Sequence, residues 1–327
     1  RADWTEYLKN VKKYSLADVN RNYSVNISDW KDLPIPAEDK SQRYNVGKIW
    51  SDYLDFHVYS FDRFMSRAIT EVRAETPDMP LLFRGSYLEV GLNMAVASKF
   101  KNIAAHCECV ETTIDVEGYY RSLGKGFNVP ISAENGWPKA LRPALKMALG
   151  DYLMGDYRTF FYSFGGPRGT RNDLDQFRKA YEIRKQTYDF HYDGGSLAIL
   201  IPDTTLYASK PPIFFSMEKE PHLELAMERL GFNFLGVSAQ LPRLENVKIL
   251  LDDGSNHVIT PSFRDTLSGW VRNGGKLLMF QDMGGIILDG SKSSLCEALQ
   301  ISPKVGTFKV GNGTVKSEEP HKGWTCC

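Results

Sequence analysis

The stretch from Asn128 to Gly166 limits what this chain can fold into more than any other. It opens with a short apolar run, Val129-Pro130-Ile131-Ser132-Ala133, that stops at Glu134 and is followed by Asn135-Gly136-Trp137. A helix-like segment follows over 140–154, apolar at Leu141, Leu145, Met147, Ala148 and Tyr152. A second apolar run, from Tyr157 to Phe164, is closed by Gly165-Gly166. Strand, carboxylate, helix, strand and glycine pair make a βαβ unit, which requires parallel strands and a crossover. Such a unit places an acid at the carboxyl end of a sheet, where β/α enzymes keep their catalytic groups.

The same alternation runs upstream. Pro80 to Arg84 reads as a strand, 88–100 as a helix, Asn102 to Cys109 as a strand, and 113–123 as a helix. With the Glu134 and Tyr157 strands this makes four strands in a parallel sheet. No strand pattern precedes residue 80. Residues 2–14 carry a helical stripe (Trp4, Tyr7, Leu8, Val11, Tyr14), and 20–48 reads as loop anchored by Trp30 and Tyr44. From Trp50 to Glu75 apolar residues step by three and four, predicting one long amphipathic helix stopped at Thr76-Pro77. His57 lies on that stripe and is expected to be a satisfied core histidine. Four βα units behind a long helix amount to half of a (β/α)₈ barrel.

A second α/β pattern begins near Asp193-Gly194-Gly195. Strands are expected over 196–202, 232–237, 247–251 and 276–280, with helices over 222–230 and 261–271. Each strand is apolar on both faces, the pattern of a doubly wound sheet covered on both sides. The expected domains are 1–193, a partial barrel of strands five to eight; 194–300, a Rossmann-like unit; and 301–327, a β-rich tail opening a further module.

Composition narrows the function. At 327 residues and 42% hydrophobic the chain can bury two cores. Its net charge is +0 and it has no basic blocks, so there is no electrostatic case for nucleic acid or an anionic membrane. No apolar run is long enough to span a bilayer. Five cysteines (Cys107, Cys109, Cys296, Cys326, Cys327) form no disulfide framework. Asn22, Asn26 and Asn312 open glycosylation triplets, which mean nothing without a secretory context. The compartment stays open.

The pattern resembles the clan-A glycoside hydrolases, most of all the family forty-two β-galactosidases. Asn26-Ile27-Ser28-Asp29-Trp30 before Pro34 and Pro36, the helix through Asp55-Phe56 to Arg73, the strand near Leu81, Glu134-Asn135-Gly136-Trp137 and the strand Phe160 to Phe164 carry it. The Gly165-Gly166 ending also resembles family thirty-five. Downstream, Ala198 to Ile201, Leu230-Gly231 and Val271 to Leu278 resemble that family's Rossmann-like, glutamine-amidotransferase-like trimerisation domain. The resemblance implies a carbohydrate substrate such as a β-galactoside, no cofactor, and a homo-oligomer such as a trimer closed around a cyclic axis.

A retaining glycosidase needs two carboxylates about 5–5.5 Å apart, one nucleophile and one acid/base. The resemblance maps the nucleophile onto Glu134, with Asn135 beside it and the Trp137 indole offering a flat face to a sugar. Taken alone, Glu134 fits equally well a carboxylate that caps the following helix. The family's acid/base ends the fourth barrel strand, and no early acid of this chain follows a strand. The expectation is a portion of such an enzyme, inactive by itself; the alternative is a non-catalytic sugar-binding or assembly module.

His106 and Glu108 fall on one face of the Asn102–Cys109 strand, positioned to bond sugar hydroxyls, and Cys107 and Cys109 on the other. Zinc would need a second ligand pair, and these side chains diverge, so no metal site is expected. Arg84, at the end of its strand, is a substrate-contact candidate and equally a surface arginine. In the second unit no Gly-x-Cys-x-Gly and no Gly-x-Gly-x-x-Gly occurs, so neither amidotransferase chemistry nor nucleotide binding has its signature.

Overall fold

The structure is a computed structural model. It describes residues 2–37, 42–84, 109–113, 131–134, 161–162, 182, 185–186, 196–209, 227, 232, 234–239, 242–252, 254–280 and 283–319.

The chain opens with two short helices, α1 (Ala2–Asn10) and α2 (Leu16–Tyr23), a 3₁₀ turn at Trp30–Asp32, and the 28-residue α3 (Lys48–Glu75). The second helix falls partly where the sequence reads as loop. Its cause is a capping box: Ser15 Oγ accepts from the Asp18 amide, and the Asp18 carboxylate accepts from the Ser15 amide. Ser24, left-handed at φ 54°, ends it. Trp4, Tyr7, Leu8, Val19 and Leu33 form the core of this unit, with Tyr53, Phe56 and Tyr59 of α3 packed against it.

The long helix buries one residue completely, Asp52. At 100° per residue, Asp52, Phe56 and Tyr59 share the face turned to α1 and α2. The opposite arc carries Leu54, Phe64, Ile69 and Val72, and there Phe64 is 67% and Val72 43% exposed. His57 corrects its expectation: it is exposed, edge-on to Tyr53 at 4.6 Å, because its stretch of the apolar stripe lacks full cover.

Four strands follow: β1 (Leu82–Arg84), β2 (Cys109–Thr113), β3 (Ile131–Glu134) and β4 (Phe161–Tyr162). They form one sheet in chain order, every pairing parallel. Of the expected strand over Asn102–Cys109, only Cys109 lies within the described residues. Pairing runs on from Cys109 through Val110-Glu111-Thr112-Thr113, where three β-branched residues favour the extended chain.

Six strands build the second sheet. They are β5 (Leu197–Leu200), β6 (Leu235–Val237), β7 (Ile249–Leu251), β9 (Lys276–Phe280), β11 (Gly306–Val310) and β12 (Gly313–Glu318), in the order β11-β12-β9-β7-β5-β6. All pairings are parallel except β11 on β12. The 306–318 hairpin, expected to open a further module, instead adds β12 alongside β9. Gly313 makes this possible, since a Cβ there would collide with the Val271 carbonyl. A two-stranded parallel ladder of β8 (Val258–Ile259) and β10 (Ile286–Ile287) was not foreseen.

One face of the six-stranded sheet is closed. Ala198, Leu200, Leu250, Leu277, Met279 and Val315 pack against Phe263, Leu267 and Val271 of α5 (Pro261–Arg272) and Leu295 and Leu299 of α6 (Leu295–Leu299). Thr260 caps α5, accepting from the Phe263 amide at 3.1 Å, and Pro261 supplies a preset φ at the first turn. Cover on the other face is uneven: Ile199 is buried, whereas Ile249 is 39% exposed and Leu251, Leu278 and Phe280 are half-buried.

A strap over 42–47 joins the helical unit to this sheet's unit. Tyr44 bridges Ser209, the Asn45 amide donates to the Ala208 carbonyl at 2.6 Å, and the Gly47 amide donates to the Leu288 carbonyl at 2.9 Å. Tyr44, Ala208, Val258 and Leu288 make a small shared core with Leu54 of α3 alongside.

Candidate active site

Parallel strands deliver their carboxyl ends to one edge of the sheet, and Glu134 is the last residue of β3. It is paired with Thr113, the last residue of β2, and with Tyr162, the last of β4. Arg84 ends β1 and pairs with Glu111, which in turn pairs with Ser132. By register, Leu82, Arg84, Cys109, Glu111, Thr113, Ser132, Glu134 and Tyr162 alternate with Phe83, Val110, Thr112, Ile131, Ala133 and Phe161 along the four strands.

Of the candidates named from sequence, the structure places Glu134 and Arg84 at the carboxyl ends of strands of the same sheet. His106, Glu108, Asn135 and Trp137 lie outside the described residues.

A second polar centre went unforeseen. Asp52 is fully buried and holds four donors: Lys48 Nζ at 2.6 Å and Lys12 Nζ at 3.1 Å on Oδ1, Tyr23 Oη at 3.1 Å and Tyr14 Oη at 3.2 Å on Oδ2. Lys12 also reaches Asp55 at 2.7 Å. Burial pushes the Tyr7 phenol up to about 12; the charges of Asp55 and Asp52 add to this and Lys12 opposes it. Burial and then the Asp52 carboxylate push Tyr23 well above the usual phenol range. Burial draws Lys12 and Lys48 down, but their hydrogen bonds and carboxylate neighbours outweigh it and hold both above the ordinary ammonium value. The only sequence signal is Lys48 four residues before Asp52, a spacing shared with countless exposed helix pairs. With every oxygen engaged from α1–α3 and their connections, this cluster fastens helices and has no acceptor left for a substrate.

At the carboxyl ends of the second sheet, Asp203, Thr204, Ser238, Asp252 and Asn256 are buried. Asp203 accepts from the Thr204 amide at 2.6 Å at the start of α4 (Asp203–Ala208). Asp252 accepts from Asn256 Nδ2 at 2.8 Å and from the Phe280 amide at 3.3 Å. These acids order strand ends. Asp253 and Asp282 lie outside the described residues. Cys296 is buried in α6, its thiol pushed up by burial and by Glu297, the opposite of an activated nucleophile. Among the described residues, no cluster of His, Cys, Asp and Glu could hold a metal ion, and no helix is long and apolar enough to cross a membrane.

No protein-family model matches this sequence, and no curated protein does either. Solved structures do. The β-galactosidase of Bacillus circulans sp. alkalophilus is 17% identical with a TM-score of 0.60, over 91% of this chain and 52% of that one. A family forty-two β-galactosidase of G. stearothermophilus is 12% identical with a TM-score of 0.60, over 89% and 50%. The family forty-two exo-carrageenase of Bacteroides ovatus is 11% identical with a TM-score of 0.62, over 99% and 50%. The chain spans about half the length of these structures. Identities this low establish fold, and the fold of this chain resembles that of the family forty-two β-galactosidases, a TIM-barrel-derived α/β architecture.

Proposed function

We propose that this chain is the nucleophile-bearing portion of a retaining glycoside hydrolase of the β-galactosidase type, acting on a β-linked carbohydrate. One observation carries the reading: in a fold similar to those enzymes, Glu134 ends a parallel strand at the carboxyl edge of the four-stranded sheet. Glu134 attacks the anomeric carbon, and the acid/base that protonates the leaving oxygen and later activates water comes from sequence preceding residue 1. Asn135, Trp137, His106, Glu108 and Arg84 would contact the sugar, and no cofactor takes part. The unit beginning near residue 194 serves assembly as a Rossmann-like, trimerisation-type domain. Tests of this reading use the gene product with all coding sequence that precedes residue 1. Aryl-β-galactoside hydrolysis should be present and should fall by roughly 10⁴-fold or more in Glu134→Gln. A variant as active as the parent, or an inactive parent, rejects the reading and leaves a sugar-binding or assembly module.

A further inference from the structure

The apolar stripe of α3 runs well past the helical unit. Leu54, Val58, Phe61, Met65, Ala68 and Val72 recur at alternating steps of four and three, the rhythm of a helix that packs along its whole length. Leu54 has its cover, in the small core of Tyr44, Ala208, Val258 and Leu288. From Val58 onward no residue of α3 is buried. Phe64 and Val72 are exposed, and so, just past the helix, is Met79 at 55%. Large apolar side chains exposed together, from mid-helix to the start of a strand, mark a contact surface.

The sheet is open at the same place. β1 is the first strand in the order β1-β2-β3-β4 and pairs, among the described residues, with β2 alone. The short segment 76–81 leads from α3 into β1. A helix entering a parallel strand in this way is a crossover from the strand before it, and it packs across both strands. Among the described residues ahead of α3, 2–37 and 42–47, there is no strand for it to have left.

We infer that the exposed arc of α3 and the outer edge of β1 form one docking surface, whose occupant is a βα unit encoded ahead of residue 1. Its strand pairs with β1 in parallel, and its apolar side chains cover Phe64 and Val72. About half of each similar structure lies outside the part this chain matches, which leaves length for such a unit. A second copy of this chain laid along the stripe would cover Phe64 and Val72 but leave the edge of β1 unpaired, whereas a preceding strand closes both. The inference rests on the reading of this chain as a portion of a longer hydrolase, and it uses no property of Glu134.

Thiol labelling tests it. Phe64→Cys, Val72→Cys and a control, Ala74→Cys, exposed on the side of α3 away from the stripe, are each made in two forms. One is the 327-residue chain and the other is the gene product with all preceding coding sequence. Peptide mass spectrometry follows each introduced thiol apart from the native cysteines, and circular dichroism establishes that each variant is folded. In the 327-residue chain all three thiols should react freely. In the longer product the thiols at positions 64 and 72 should react about 100-fold more slowly, because only local opening exposes them, while that at position 74 keeps its rate. Should Phe64→Cys fail to fold, Val72→Cys, the milder change, decides by itself. Unchanged rates at 64 and 72 in the longer product overturn the inference, as does a gene with no coding sequence ahead of residue 1. Protection that appears already in the 327-residue chain and grows with its concentration, the mark of a second copy, overturns it too. Protected thiols in a longer product that hydrolyses no glycoside would keep the docking surface and reject the hydrolase; free thiols in an active one would do the reverse.

Discussion

The helical unit at the start of the chain and the six-stranded unit near its end solve the same problem with different chemistry. Around α1–α3 the most deeply buried group of the long helix is a carboxylate, ringed by two lysines and two tyrosines, in a unit where Trp4 lies edge-on to Tyr53 at 5.4 Å. Under α5 and α6 the buried cluster is built of Leu, Val, Ile, Met, Ala and Phe with Cys296. An aliphatic core tolerates exchange among shapes of similar volume, whereas a buried charge admits one arrangement of partners. The helical unit is thus the brittle part and the sheet the tolerant one, and the strap at 42–47 ties the two together.

The sharpest way to break that contrast is Asp52→Ala. It strands Lys12, Lys48, Tyr14 and Tyr23 around a vacancy and should cost about 3–5 kcal/mol. Urea unfolding followed by tryptophan fluorescence should show the transition reported by Trp4, Trp30 and Trp50 moving to lower urea. A shift under about 1 kcal/mol would mean the cluster is decoration.

Leu250→Ala makes the complementary cut. Leu250 is fully buried in the sheet core, and its truncation should cost about 2–5 kcal/mol. Here Trp270 on α5 should report the loss through its fluorescence, while near-UV circular dichroism from the N-terminal aromatics stays unchanged at low urea. Loss of both signals together would show that the strap fuses the two units into one cooperative block.

Alkaline pH separates them more gently. Tyr7 is held neutral up to about 12 when folded, against 10.0 when unfolded. A raised folded value stabilises the fold fully below pH 10, and that contribution disappears as pH rises from 10 through about 12. For Tyr7 alone the two-unit gap corresponds to about 2–3 kcal/mol. Tyr23, Lys12 and Lys48, also raised, push in the same direction. Stability measured across pH 9 to 12 should therefore decline, first in the helical unit. A decline that starts in the sheet unit, or below pH 9, contradicts the assignment.

Much of the site's frame was legible in the sequence because it rested on local breaks. The apolar run ending at Ala133 makes Glu134 a strand terminus whatever surrounds it, and the steps of three and four from Trp50 to Glu75 leave no alternative to a helix. Other features depended on competition or on distant partners. Residues from Asn102 to Thr113 are all compatible with a strand, and pairing with β1 and β3 carries it past its expected end at Cys109 to Thr113. The asparagines of 20–26 masked the short capping box at Ser15 that starts α2. The environment of Asp52 depends on Lys12, Tyr14 and Tyr23, which chain patterning does not bring together. The 306–318 hairpin joined β9 through long-range parallel pairing, of which its own alternation gives no sign.

The central claim is that Glu134 is a nucleophile at the carboxyl edge of a glycosidase sheet, and retention is its most direct consequence. Glu134→Gly, in the gene product with all preceding coding sequence, removes the nucleophile and leaves a hole for a small anion. Hydrolysis of an aryl-β-galactoside should be lost, and added azide should restore cleavage by displacing the aryl alcohol to give an α-glycosyl azide, because the anion attacks the face that Glu134 would have used. A Glu134→Gly variant that still hydrolyses the substrate unaided, or whose rescue gives the β-glycosyl azide, would contradict it.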